Sequence, residues 1–490
     1  MSATPVIIAF VSILIACVVT ALFLWRPKPT IHSFFWGDQR LRPGLTSSLI
    51  LTSSFSLNGL LYQTWLGFSI GWWSLLIQMV WCGSLLFLAL NVHRFRSVLS
   101  CGTMHGIIAG RFGSGAGIAA AAASIIGFTI LIGWEAVVGA SILKNVSGVE
   151  RSVYLALPVA LALVASLYSS MAGLRGNAYI NAAQNLFKVF VLLGAGCVLV
   201  WSTKGGWTTF WTAPSASIGP VTAIAALGGG ALLANLAFSL FWQTVDMSVW
   251  QSLSATEPSN RVRAAGAAVV LVLVFPGLVG SIIGIALSDI PHVPPAGVTD
   301  GNILNRFGEA ITAIPGLGVL LFAAFAAAML STIDGYAMAA AQAGTWDITH
   351  RKAVSELLAR GPHEEPQPED KTVVAASRFY LMAVAVVGAV GVMALVEWGI
   401  SLFDLVYIVV IAQMSLVGPV VLCIRHPEGG KYRYGVLPIL LSLAVGAGMV
   451  AARSIGYENL FVWAPVGTIL TSIGVTMALR TSALTKVEAA

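Results

Sequence analysis

Apolar runs of about 20 residues recur along the whole chain, separated by short polar stretches. Each run is long enough to cross a bilayer as a helix. Thirteen spans are predicted, at roughly 5–25, 44–71, 72–92, 115–143, 152–173, 177–201, 221–253, 263–288, 311–346, 373–397, 401–424, 434–455 and 459–480. The pattern predicts an all-α polytopic membrane protein. Setting aside the first span and the last two leaves ten, which divide into two sets of five. An odd number of spans per set forces the second set to be inverted in the membrane, a transporter device with the site between the repeats. The expected organisation is an N-terminal extra helix and loop over 1–43 and a first five-helix repeat over 44–201. A second, inverted repeat follows over 202–424, then two C-terminal helices and a short tail over 425–490.

Polar positions interrupt this pattern where each set begins. The first set opens with "LTSSFSLNGL" (Leu51–Leu60), four hydroxyls and an Asn in mid-span. The second opens with "NLAFSLFWQTVDMSVWQ" (Asn235–Gln251), polar in its later half. A polar run at membrane depth can be unwound backbone lining a cavity. It can also be a continuous helix whose Ser hydroxyls bond back to the preceding turn. Matching positions in both sets favour unwinding.

Composition sharpens the class. The chain is 57% hydrophobic and 9% charged, against about a quarter charged in soluble proteins. Of its 26 Lys and Arg residues, twenty fall in segments placed inside, five outside, and Lys188 lies within a span. That bias orients the protein with its N-terminus outside and its C-terminus in the cytoplasm, as a multi-pass protein of the cell membrane. The net charge of +6 bears on topology. No basic tract points to nucleic acid. Five cysteines, Cys101 among them, form no CxxC pair or ligand set, so neither a disulfide nor zinc is implied. The first apolar run lacks a basic leader and is too long for a secretory signal, so it reads as a retained helix. The Pro- and acid-rich insertion Glu356–Lys371 reads as a solvated cytoplasmic loop.

"AAAMLSTIDGYAM" (Ala326–Met338) crowds Ser331, Thr332 and Asp334 into one turn of an apolar span. A carboxylate at that depth is costly and marks a candidate site. Positions 328, 331 and 332 are spaced i, i+3, i+4 and share one helix face. Oxygen ligands suit a hard cation such as sodium. Packing against a neighbouring helix is the plainer alternative.

Three motifs carry a family resemblance. "GTMHGIIAGRFG" (Gly102–Gly113) resembles the loop before the third core helix of the sodium/solute symporter family, which has the LeuT-type fold. "YSSMAGLRGNAYINAAQN" (Tyr168–Asn185) resembles its turn between core helices four and five. "AAAMLSTIDGYAMAAAQAGTWDI" (Ala326–Ile348) resembles core helix eight. The resemblance implies a LeuT-type 5+5 inverted-repeat core and cation-coupled symport of a small polar organic solute by alternating access. Sodium is the implied coupling ion. Its implied ligands are the carbonyls of Thr52, Phe55 and Ala328 and the hydroxyls of Ser331 and Thr332.

The chain also departs from that family. An Asp that the family often places on core helix five is Asn181 here, and Asp334 stands where two-sodium members have a serine. One reading moves the carboxylate from helix five to helix eight. Asp334 then completes a second cation site with Ser331 and Asn181, or carries a proton. The other makes Asp334 a hydrogen-bonded structural residue. Lys188 lies seven residues past Asn181, on nearly the same face, and needs a partner. A structural ion pair with Glu135 or Asp246 is the preferred reading; a substrate contact, or a built-in charge replacing a cation, is the alternative. The substrate-binding candidates are Asn58, Gln78, Glu135, Phe241, Asp246 and Gln413. Phe241 matches a Tyr that caps the solute in sugar-carrying members. "DMSVWQS" (Asp246–Ser252) resembles the urea- and polyamine-carrying branch. Proton-coupled symport and a transporter-like nutrient sensor remain alternatives. The inverted pattern disfavours a channel. The sequence shows no HExxH or GxSxG motif, so an enzyme is not expected.

Overall fold

The computed structural model describes residues 3–25, 29–92, 102–147, 150–202, 206–211, 218–288, 316–360, 367–400, 402–426, 432 and 434–488. Cys101 and residues 361–366 of the acidic insertion lie outside them. Among the described residues there is no strand, only an isolated bridge between Leu41 and Thr256.

The first helix is α1 (Ala3–Phe23). The next span is split into α2 (Pro43–Ser54) and α3 (Leu57–Ile70). It is followed by α4 (Ser74–Asn91), the short α5 (Met104–Phe112), α6 (Ser114–Ser147) and α7 (Arg151–Ser202). The second half comprises α8 (Pro220–Leu227), α9 (Gly229–Val245), α10 (Met247–Ala255), α11 (Arg261–Val272) and α12 (Gly280–Ser288). Then come α13 (Leu317–Gln342), α14 (Pro368–Glu397), α15 (Leu402–Met414) and α16 (Val417–Arg425). Two further helices, α17 (Leu437–Ala451) and α18 (Glu458–Glu488), complete the described chain.

Glycine turns divide the longest apolar stretches into the expected spans. The stretches Leu57–Asn91 and Arg151–Ser202 each hold two of them. Gly71 (φ 58°) separates α3 from α4, and Gly173 (φ 61°, ψ −178°) breaks α7 in the middle. Gly173 is held against the backbone of Phe34, whose carbonyl oxygen would lie 3.2 Å from an added Cβ. Both its dihedrals and its surroundings therefore require the missing side chain. The backbones approach more closely still between α6 and α14. A Cβ on Gly133 would stand 2.1 Å from the carbonyl oxygen of Gly388. Small residues at such crossings let helices approach where no hydrophobic effect drives association.

Both polar interruptions are breaks in the helix. Phe55 ends α2 (φ −105°, ψ 44°), and Ser56 begins α3 in an extended conformation, its hydroxyl accepting from Gly59 N–H at 2.7 Å. Asp246, also extended, separates α9 from α10, and its carboxylate accepts from Ser248 N–H at 2.8 Å and Ser248 Oγ at 2.6 Å. Ser and Asp are favoured at such places because their side chains satisfy the free amides of the new helix. The two broken helices meet. The Gln243 amide donates to Ser54 Oγ at 3.0 Å, and the Thr46 and Thr256 hydroxyls are 2.7 Å apart.

Two of the recognised motifs dock onto each other. Asp347, at the end of the helix-eight motif, accepts from Thr103 Oγ1 at 2.7 Å and faces His105 Nδ1 at 3.0 Å. The other ring nitrogen of His105 faces Ser124 Oγ at 2.9 Å. The motif residues Thr103, His105 and Asp347 thus tie α5 to α6 and to the Ala343–Thr349 turn that follows α13.

Candidate functional site

The centre of the molecule is the break at Phe55–Ser56, flanked by α6, α7 and α13. A broken helix presents two opposite charges at one place. The carbonyls that end α2 carry partial negative charge, and the amides that start α3 carry partial positive charge. The buried charges around the break are arranged to match. Lys188 of α7 is fully buried, and its Nζ donates to the Phe55 carbonyl at 3.1 Å. Glu135 of α6 sits at the other side, where its Oε1 accepts from the Asn58 N–H at 3.2 Å.

The five residues expected to hold sodium come together. Thr332 Oγ1 lies 2.9 Å from the Ala328 carbonyl and 3.3 Å from that of Thr52. Ser331 Oγ donates to the Ala328 carbonyl at 2.9 Å. The place between them is not free for a metal, however. Lys188 Nζ donates to Ser331 Oγ at 3.2 Å as well as to Phe55, and lies 4.8 Å from the centre of the Phe55 ring. The amine thus bridges two of the five expected ligands. The residues present do not fit a sodium ion while the ammonium is among them.

The expected ion pair between Lys188 and Glu135 or Asp246 is not formed. Glu135 and Asp334 both act on the Lys188 charge through space, but neither pairs with it among the described salt bridges. The carbonyl end of α2 and the Ser331 hydroxyl take the amine instead.

Asp334 and Asn181 are brought together as expected: Asn181 Nδ2 donates to Asp334 Oδ1 at 3.2 Å. The third member expected there, Ser331, is engaged by Lys188. Its place is taken by Tyr168, whose hydroxyl lies 2.8 Å from Asp334 Oδ2 and 3.0 Å from the Leu330 carbonyl. Tyr168 opens the motif "YSSMAGLRGNAYINAAQN", yet sequence reading gave it no role. Asn185 was missed too; its amide donates to Ser48 Oγ at 2.8 Å and Thr52 Oγ1 at 3.1 Å, fixing α2 to α7.

Above the break lies a cavity of about 440 Å³, in the range of small-molecule sites. Asn58, Gln78 and Glu135 line it, as expected. Phe241, Asp246 and Gln413 do not. Phe241 is displaced by helical geometry: Asn235, Phe238, Ser239 and Trp242 form the face of α9 that lines the cavity, and Phe241 is about 100° away from Trp242. Asp246 caps α10 through Oδ1, and although its Oδ2 has no hydrogen-bond partner, the side chain lies outside the cavity lining. Gln413 packs beside Gly127, its amide 3.5 Å from the Ser124 carbonyl.

A second, much smaller cavity of about 20 Å³ lies beyond the break, among α2, α10 and α13. Ser53 and Tyr336 line both cavities. The Tyr336 hydroxyl donates to the Ser53 carbonyl at 3.2 Å, and its ring stacks on Phe128 with centroids 5.2 Å apart. This contact is the floor of the large cavity.

Two crossed broken helices around a central cavity, in an all-α polytopic membrane protein, define a LeuT-type fold. Solved structures show the same fold. A Na+-coupled sialic acid symporter in a substrate-bound outward-open state superposes with a TM-score of 0.75 over 96% of each chain, at 17% identity. MHP1, a nucleobase-cation-symport-1 family transporter, gives 0.55 over 94% of this chain and 96% of its own, at 13% identity. A manganese transporter from Eremococcus coleocola gives 0.50 over 92% and 96%, at 14% identity. No protein-family model and no curated protein sequence matches the chain.

Proposed function

We propose that this protein is a secondary active transporter of a small polar organic solute, working by alternating access, with Lys188 in the place of the coupling sodium. The solute occupies the 440 Å³ cavity. With the N-terminus outside, that cavity faces outward and the Ser53–Tyr336 contact closes the inner path. The coupling ion is the proton, taken up and released by the Lys188 amine. The solute-and-ion reading draws on fold neighbours described as a Na+-coupled symporter and a cation-symport family transporter.

The single observation that carries the choice of ion is the position of Lys188 Nζ, 3.1 Å from Phe55 O and 3.2 Å from Ser331 Oγ. A sodium ion about 4 Å from an ammonium meets a repulsion of about 4 kcal/mol at the effective dielectric of a protein site. That corresponds to about a thousandfold in affinity. The oxygen set is otherwise the one a sodium ion would use, so removing the amine should restore it.

The test is thermal unfolding in sodium chloride against potassium chloride. The wild-type protein should unfold at the same temperature in both, and Lys188→Ala should be stabilised selectively by sodium. Selective stabilisation of the wild type by sodium would overturn the assignment.

A further inference from the structure

The cavity has one charge and many rings. Among the described residues lining it, Glu135 is the single charged one, and eight of the 28 are aromatic. Four of those are tryptophans: Trp65, Trp81, Trp134 and Trp242. Trp81 stacks on Trp242, with centroids 5.6 Å apart, and Phe238 stands edge-on to both. Glu135 is 2% exposed. Its Oε1 takes the Asn58 N–H, the Ser56 hydroxyl and the Leu57 N–H also face the carboxylate, and its Oε2 makes no direct hydrogen bond. A buried carboxylate without a full set of partners is costly, and Lys188 does not pair with it.

We propose that the solute is a small organic cation whose ammonium or guanidinium head neutralises Glu135 in this aromatic-lined cavity. The proposal deepens the transport reading and rests on the cavity being the solute site. A cation gains from the negative faces of Trp, Tyr and Phe rings, most of all when desolvated, and an aromatic cage suits quaternary ammonium groups. The unpartnered Oε2 supplies the counter-charge. An anionic solute is disfavoured at the same point. The amides that begin α3 would otherwise favour a carboxylate, but Glu135 already occupies that end of the helix. A neutral polar solute would leave the Glu135 charge to the amides that begin α3 and to Lys188 at a distance.

The test uses the purified full-length protein, with tryptophan fluorescence and thermal unfolding as readouts. The probes are tetramethylammonium, choline, guanidinium and putrescine. The controls are 3,3-dimethyl-1-butanol, which has the shape of choline without its charge, and acetate. At least one of the cations should quench the fluorescence and raise the unfolding temperature, and neither control should. Glu135→Gln should weaken binding of that cation at least tenfold while unfolding normally without ligand. Trp242→Leu, which keeps the charge and removes a ring, should weaken it severalfold. No response to any of the four cations would overturn the proposal, as would Glu135→Gln binding as tightly as wild type. Accumulation of a neutral or anionic solute in proteoliposomes would overturn the proposal and leave the transport reading intact. Cation binding without any uptake would support the proposal and contradict transport.

Discussion

Lys188 is an uncommon group for a membrane interior: a fully buried amine held by a carbonyl and a hydroxyl rather than by a carboxylate. The end of α2 makes this tolerable, because a helix C-terminus favours a cation. Its oddity was legible in the sequence, since a lysine in mid-span always needs a partner. Its partner was not, because a sequence shows which residues are acidic but not which carbonyls a helix break leaves free. Asp334 gives the complementary case. Its pairing with Asn181 could be read from a carboxylate missing at one position and present at another. Tyr168 could not, because a tyrosine at the end of an apolar span is ordinarily an interfacial anchor. Tyr168→Phe removes one of the two side chains that hydrogen-bond Asp334, and hydrogen bonds to charged groups contribute about 1.5–3 kcal/mol. The expected result is a clearly lowered unfolding temperature with solute affinity within about threefold of wild type. An unchanged unfolding temperature would mean that Asp334 does not depend on that bond.

At the scale of elements, the polar runs Leu51–Leu60 and Asn235–Gln251 favoured a break in each helix without fixing its place. The structure puts the breaks at Ser56 and Asp246, whose side chains cap the helices that follow. Its role as a cap holds Asp246 Oδ1 at the start of α10, away from the cavity lining that its position in "DMSVWQS" had suggested. The choice between Phe241 and its neighbours was a matter of register. One residue along a helix turns a side chain by about 100°, and no pattern in α9 distinguishes Phe241 from Phe238 and Trp242. The Ser53–Tyr336 contact joins α2 to α13 across the floor of the cavity. On the proposed transport cycle, opening the inner path requires breaking it. Tyr336→Phe keeps the stacking on Phe128 and loses the hydrogen bond, worth about 1 kcal/mol. It should speed release of bound solute into the inner compartment severalfold, with solute affinity changed less. Counterflow in proteoliposomes measures this, and an unchanged rate would mean that Ser53–Tyr336 is not the gate.

For the whole molecule, the all-α class and the thirteen spans followed from hydropathy alone, because each span must be long and apolar to cross a bilayer. The chemistry of the centre followed less completely, because it depends on side chains from α2, α6, α7 and α13 converging on one break. The fold is shared with transporters of quite different cargo, so it leaves both the solute and the ion to the residues of the site. Here those residues place an amine where sodium would be expected. The most direct measurement is solute accumulation in proteoliposomes free of sodium, with potassium as the bulk cation and an imposed pH gradient. The account predicts that the pH gradient drives accumulation, that adding sodium changes nothing, and that collapsing the gradient with a protonophore abolishes it. Accumulation that requires sodium and ignores the pH gradient would contradict it.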